Sequence, residues 1–447
     1  MSNRSNLRRH GLFDARVPRF TSYPPATRFD AAVGAGDYAG WLEQVGSEAD
    51  ISLYVHVPFC RRLCWFCACR TQGTRTGAPL AGYVASVLAE AAIIRRHLPS
   101  GIRVSRLHLG GGTPTILPPA LIHQLLEGLD RVLGLGRLEE FSVEIDPTEC
   151  DLPRLETLAG YGLSRASIGI QDFEPRVQEA IGRAQSLRIT TEVIDSLRGL
   201  GIGSINLDLL YGLPHQTLDS LSRTLDHVLA IDPDRLALYG YAHVPWMSKR
   251  QVMIPADALP SPEARLDLTE RAQRRLLGAG FRQIGIDHFA RPGDALAIAA
   301  TERRLARSFQ GYTDDRAPVL IGLGASSISH HPAGYAQNEP STGPYQARVA
   351  AGHLPIARGT VLSEADRIVG RMVESLMCHH DIRLDELGPL TGEAKARIVQ
   401  LAQDFDDCID FDGAVLRVRP WAWPLTRIMA AALGSAGEPG QRFSAAV

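Results

Sequence analysis

The sequence predicts an α/β protein built on a parallel sheet or barrel, with an N-terminal extension and a small, mostly helical C-terminal domain. Three observations predict it. Between about residues 50 and 250, short β-rich runs alternate with helical stretches at intervals of roughly 25 to 40 residues, the rhythm of βα units. One face of several of these runs turns polar toward its C-terminal end, where parallel sheets and barrels hold their ligands. Beyond about residue 360 the rhythm gives way to helix-forming text.

Six strands are expected, at 52–57, 104–109, 141–146, 166–171, 204–209 and 236–243, with further short ones at 281–286 and 318–321. A strand buried on both faces normally reads as a continuous apolar run. These do not. Period two puts Tyr54 with His56, Ser142 with Glu144 and Asp146, Gly169 with Gln171, and Asn206 with Asp208, so one face of four strands carries polar groups. Helices are expected between them, for example at 79–98 and 188–200, and later at 363–378, 392–404 and 424–433, with a strand-like stretch at 415–419. The organisation expected is an N-terminal extension over 1–50, a barrel with flanking strands over 51–355, and a C-terminal domain over 356–447. The last dozen residues, rich in Gly, Ser and Ala, read as mobile.

Composition narrows the function classes. The chain has 447 residues, 45% hydrophobic and 21% charged, with 47 basic against 49 acidic groups. That balance gives no footprint for nucleic acid. No uninterrupted apolar run has the length of a membrane span, and a cytoplasmic location is the expectation. The Arg-rich start also contains Asp14, which argues against an organellar leader.

Seven cysteines are present and four crowd into one loop: Cys60, Cys64, Cys67 and Cys69. Such a cluster in a long chain points to metal or redox chemistry rather than a disulfide framework. Cys150, Cys378 and Cys408 are isolated and read as thiols without a role. CxxxCxxC directly after the first strand supplies three close thiolates, one for each of three irons of a cubane, and leaves a fourth iron open unless Cys69 takes it. Zinc fits poorly, since structural zinc sites prefer two separated ligand pairs.

The loop after a first barrel strand resembles that of the radical S-adenosylmethionine (SAM) superfamily. Leu53–Cys60 with Cys67-Ala68-Cys69 is similar to the oxygen-independent coproporphyrinogen III oxidase family. So are Gly110–Thr115, Glu144–Pro147, Gly169–Phe173, Asn206–Pro214, Tyr241–His243, Asp287–Pro292, Phe309–Thr313 and Tyr335–Asn338. The resemblance implies a partial (β/α)6 radical SAM barrel and a four-iron four-sulfur (4Fe-4S) cluster on Cys60, Cys64 and Cys67. It also implies two SAM molecules. The first would close the fourth iron, beside Tyr54, Gly111, Glu144 and Ile328, which excludes Cys69 as that iron's ligand. The second would lie against Phe66, Gly112, Thr113, Gln171, Arg183, Asp208 and Ala242. Tyr54 and Cys69 are the expected catalytic residues, and the glycines at 110–112 are expected to bring backbone amides close to a ligand.

The implied reaction is oxidative decarboxylation of two propionates of coproporphyrinogen III to vinyl groups, giving protoporphyrinogen IX in haem biosynthesis. A 5'-deoxyadenosyl radical would abstract the hydrogen, and a flavodoxin- or ferredoxin-type donor would supply the electron to a monomeric enzyme. Rival readings are a radical SAM haem chaperone, against which Cys69 and the Arg19–Pro25 stretch speak, another tetrapyrrole-modifying radical SAM enzyme, and a module with a closed cluster. Arg19 and Arg291 are the candidate grips for the propionates, because a guanidinium holds a carboxylate with two parallel hydrogen bonds. Gly322-Leu323-Gly324 resembles a dinucleotide fingerprint only weakly, and His330-His331 and His379-His380 read as solvated or packed histidines.

Overall fold

The computed structural model describes residues 3–434 and 442–447. Helices α1 (Asn3–Arg9) and α2 (Ala35–Glu43) precede six βα units: β1 (Asp50–Val57), α3 (Ala78–Arg95), β2 (Arg103–Gly111), α4 (Pro119–Leu133), β3 (Glu140–Ile145), α5 (Leu152–Gly160), β4 (Arg165–Gln171), α6 (Pro175–Ala180), α7 (Leu187–Gly199), β5 (Ser204–Tyr211), α8 (Leu218–Ile231), β6 (Arg235–Gly240) and α9 (Pro262–Gly278). There follow β7 (Arg282–Ile284), β8 (His288–Ala290), α10 (Ala295–Thr301), β9 (Val319–Leu323), β10 (Ile328–His331), β11 (Gly334–Asn338), α11 (Thr342–Ala350) and β12 (Ile356–Val361). All twelve strands form one sheet in the order β12-β11-β10-β9-β1-β2-β3-β4-β5-β6-β8-β7. Strands β9 and β1 to β6 are parallel. The two wings are antiparallel, so the barrel is partial rather than closed.

The alternation read from the sequence has a physical cause. In β5, Ile205, Leu207 and Leu209 are buried, whereas Asn206 and Asp208 on the other face are only partly covered. Strand β4 repeats the pattern. The apolar face packs under the helical layer, where a fully buried Ile or Leu is worth on the order of 1.5–3 kcal/mol; the polar face lines a cavity. Side chains close the helix starts: Ser186 bonds the Ile189 amide of α7, and Thr217 exchanges capping bonds with Ser220 of α8. Helix α3 is long and apolar enough to cross a membrane by those two measures alone. Here Tyr83, Val87, Ala91 and Ile94 are buried within the sheet's own core, and so is the carboxyl of Glu90.

Three expectations need correction. Strand β6 ends at Gly240, so Tyr241, Ala242 and His243 leave the sheet. The C-terminal region is mostly helical, as expected, with α12 (Glu364–His379), α13 (Gly392–Asp404) and α14 (Thr426–Leu433), and the strand expected near 415–419 is the middle one of β13 (Asp381–Arg383), β14 (Ile409–Phe411) and β15 (Val415–Val418), in the order β13-β15-β14. The boundary expected at 355 falls before β12, which still pairs with β11 in the main sheet. Finally, part of the tail is held. Residues 435–441 lie outside the described residues, but Ala446 and Val447 are buried, the Ala446 amide bonds the Ala15 carbonyl, and the Val17 amide bonds Ser444. Leu7, Leu12 and Phe13 join the same second core as Met372, Leu376, Leu416 and Met429.

Candidate active site

The polar ends of the parallel strands face a chamber of about 740 Å³. Cys60, Cys64, Cys67 and Cys69 open onto it from the loop after β1. That loop is held from several sides. Ser248 Oγ donates to the Cys67 carbonyl at 2.9 Å, Gln251 Nε2 to the Phe66 carbonyl at 2.7 Å, and the Trp65 amide to the Ile181 carbonyl at 2.9 Å. Two of the sulfurs accept hydrogen bonds, Cys60 from Thr113 Oγ1 and Cys64 from Arg183 Nη1, each at 3.6 Å. Donors aimed at sulfur suit thiolates bound to iron. The donor set therefore fits an iron–sulfur cluster on Cys60, Cys64 and Cys67. Cys69 is exposed on the same loop.

Tyr54 stands on the inward face of β1, its hydroxyl 2.9 Å from His56 Nδ1 and its ring stacked on His108 at 5.6 Å between centroids. His108 Nε2 lies 3.4 Å from Glu144 Oε1, and the Gly111 amide donates to Glu144 Oε2 at 3.0 Å. Burial would raise the Glu144 carboxyl, but the His108 contact and the Gly111 amide outweigh it and hold it below the usual carboxylate range. Asp208 moves the other way: burial and the charge of Glu144 raise it, while Asn206 and Ser167 donate to it at 2.9 and 3.1 Å. Arg183 bridges the site, pairing with Asp146 at 3.2 Å and donating to the Gly169 carbonyl at 2.8 Å.

The structure brings together nearly every residue expected to bind a cofactor. Tyr54, Phe66, Gly111, Gly112, Thr113, Glu144, Gln171, Arg183, Asp208 and Ile328 all line the chamber. Ala242 does not; its carbonyl accepts from Gln251, one layer behind Phe66. The glycines work differently from the expectation. Their amides are already engaged, Gly111 with Glu144 and Gly112 with the Val57 carbonyl. What matters is the missing side chain, since a Cβ would fall 2.8 Å from Glu144 at Gly110, 2.6 Å from His56 at Gly111 and 2.7 Å from the Phe59 carbonyl at Gly112. Gly322 and Gly324 are likewise filled by protein, against the Ile328 and His56 carbonyls, and a strand rather than a helix follows them.

Arg291 is far from this chemistry. It bonds the Ala279 carbonyl, pairs with Asp232 and covers the Phe281 ring, and its amide bonds Asp234 just before β6 begins. That is the end of the barrel away from the cysteine loop. Arg19 donates to the Gly240 carbonyl and lines a separate, smaller cavity. Sequence reasoning missed His108, Arg165, Tyr239 and Arg250, all of which line the chamber. Alternation carried through β2 and the start of β4 would have found His108 and Arg165; Arg250 arrives from a single-turn 3-10 helix at Lys249–Met253, too short to leave a periodic signal. Of the histidine pairs, His380 stacks on Trp423 and is pulled down to about 4 by burial, as is His330 beside Tyr335.

Residues 54–228 match the radical SAM superfamily, and the cysteine loop, the partial barrel and the chamber at its strand ends are what that class requires. An oxygen-independent coproporphyrinogen III oxidase from Paracoccus denitrificans is 51% identical over 434 residues, 96% of either chain. One from Escherichia coli is 39% identical over 370 residues, 82% of this chain and 80% of that one. The solved structure of coproporphyrinogen III oxidase from Escherichia coli, a radical SAM enzyme, superposes with a TM-score of 0.88 at 33% identity, covering 94% of this chain and all of that one. The chain belongs to the oxygen-independent coproporphyrinogen III oxidase family.

Proposed function

We propose that this chain oxidatively decarboxylates two propionate side chains of coproporphyrinogen III to vinyl groups, without oxygen, giving protoporphyrinogen IX. The observation that carries the reading is the convergence, in one chamber, of the three loop cysteines with Glu144, Asp208 and the side-chain-free positions Gly111 and Gly112. Cys60, Cys64 and Cys67 hold a 4Fe-4S cluster. When bound, the cluster and SAM supply the electron and the hydrogen-abstracting radical that the reaction needs. Each propionate then loses one hydrogen atom, carbon dioxide and one electron, the last passing to an acceptor.

The chain's own residues bind and position. Ionised Glu144 beside the Tyr54–His108 stack receives the ammonium or hydroxyl groups of one SAM, with Gly111 and Ile328 as neighbours. Asp208, Gln171 and Arg183 with Phe66, Gly112 and Thr113 receive a second SAM, and Ala242 supports Phe66 from behind. Cys69, free of the cluster, faces the substrate with Tyr54 as a catalytic residue. A flavodoxin- or ferredoxin-type protein delivers the electron to a monomeric, cytoplasmic enzyme. Anaerobic reconstitution with iron and sulfide, followed by reduction in the presence of SAM and coproporphyrinogen III, tests the reading. Formation of 5'-deoxyadenosine together with monovinyl and divinyl products is expected; cleavage of SAM with no vinyl product would point to another tetrapyrrole.

A further inference from the structure

Behind the chamber wall formed by Tyr239 lies a second cavity of about 140 Å³, lined by four arginines: Arg19, Arg265, Arg307 and Arg427. Each is tied to backbone carbonyls. Arg19 donates to Gly240, Arg265 to Tyr241, Arg307 to Phe20, and Arg427 to Val17, Pro18, Ala445 and Ala446. Elsewhere the chain pairs such groups with acids, as Arg303 with Asp381 and Glu386. Among the described residues, the one carboxylate within ion-pair reach of these four is Asp287, 4.0 Å from Arg307 and already bonded to His288 at 2.7 Å. Glu270, at the edge, faces Arg4 and Arg274 instead.

The cavity therefore holds a surplus of buried positive charge, and two donors have nowhere to go. Arg307 Nη1 and Arg265 Nε are buried without a hydrogen-bond partner in the protein, and the Arg307 side chain is 6% exposed. Unpaired buried charge is costly, and it is relieved by an anion that accepts the free donors. Burial and the like charge of Arg19 pull Arg427 down to about 9, while burial also lowers Arg19 and Arg265. Thr21, Gln273 and Gln283 complete a polar lining.

We propose that this four-arginine cavity is an oxyanion site that takes a carboxylate. Guanidinium forks match carboxylate oxygens in pairs, and the volume suits a short carboxylate arm rather than a ring system. The carboxylate has two sources. It belongs either to a small free acid or to a propionate of the tetrapyrrole reaching past Tyr239 from the chamber, and only the second source rests on the function proposed above.

The test uses the reconstituted full chain with glutarate as probe and its uncharged diamide as control, followed by calorimetric titration. Glutarate is expected to bind, the diamide not, and binding is expected to weaken at least tenfold in Arg307→Gln and Arg265→Gln but not in Arg291→Gln. Thr21→Glu, which places an acid in the cavity while leaving every arginine in place, is expected to abolish binding even if the arginine variants fold poorly. Coproporphyrin III, the inert oxidised tetracarboxylate, separates the sources: displacement of glutarate assigns the site to a propionate, and simultaneous binding assigns it to a free acid. Absence of glutarate binding, or equal binding by wild type and Thr21→Glu, overturns the proposal. Because this readout needs no turnover, it stands or falls apart from the decarboxylation reading.

Discussion

Replacing Gly112 with alanine should loosen the cysteine loop, and the structure sets the size of the effect. The new Cβ would sit 2.7 Å from the Phe59 carbonyl oxygen and 3.0 Å from both the Phe59 nitrogen and the Cys60 sulfur, roughly 0.5 Å or more inside ordinary van der Waals contact. Two of the three atoms are backbone. They cannot step aside cheaply, because the Gly112 amide bonds the Val57 carbonyl at 2.8 Å and the Thr113 amide bonds the Phe59 carbonyl at 2.9 Å. Overpacking of this kind costs about 1–3 kcal/mol, and the strain falls on the segment that carries Cys60. Gly110→Ala gives the contrast. Its Cβ would meet the ends of Glu144 and Tyr54, at 2.8 and 2.9 Å, which are side chains able to swing into the chamber. Iron per chain after anaerobic reconstitution, SAM binding by equilibrium dialysis and urea unfolding separate the two. Gly112→Ala is expected to lose iron and stability; Gly110→Ala is expected to keep its iron and lose SAM affinity. Full iron content and an unchanged urea midpoint in Gly112→Ala, or iron loss confined to Gly110→Ala, would refute the reasoning.

Cys64→Ala should prevent stable cluster assembly, whereas Cys69→Ser should keep the cluster and its visible absorbance yet lose vinyl product; cluster loss in Cys69→Ser would mean that it is an iron ligand. Glu90 accepts from Tyr345, Gly324 and Asn338, and burial raises its carboxyl from the ordinary 4.5 to about 7. Folded Glu90 binds its proton more tightly than unfolded Glu90 does, so its contribution is full below the unfolded value and is lost as pH rises through about 7, on the order of 3 kcal/mol in all. Glu90→Gln should flatten the fall in unfolding free energy between about pH 5 and pH 8, and equal slopes in urea titrations of the two proteins would contradict this. The Arg235–Asp294 pair is buried on both sides at 2.7 Å, and Asp294 also caps α10 through the Leu296 amide. Asp294→Ala strands the guanidinium and should cost about 3–5 kcal/mol in urea unfolding; a loss below about 1 kcal/mol would show that Arg235 finds another partner.

By itself the sequence determined the six βα units, the polar inward face and the cysteine loop, because each is a local pattern: period-two alternation, cap residues at helix starts, and ligands a few residues apart. The strands begin and end within one to three residues of expectation. Short elements escaped. Strands β13 and β14 have three residues each, too few for alternation to register, and they exist because their apolar residues close a core with α12 and α14. The same holds for the ends of the chain, where Leu7 and Leu12 meet Met429 and Val447, contacts across hundreds of residues that no local window contains. The arginines show the division most clearly. Arg19 and Arg291 are the same chemical group in equally plausible motifs, yet folding places one in a cavity with three other guanidiniums and the other on Asp232 and the Phe281 ring. Residue type decides what a side chain can bind; only the tertiary structure decides which charges it shares a cavity with, and therefore whether it is already satisfied.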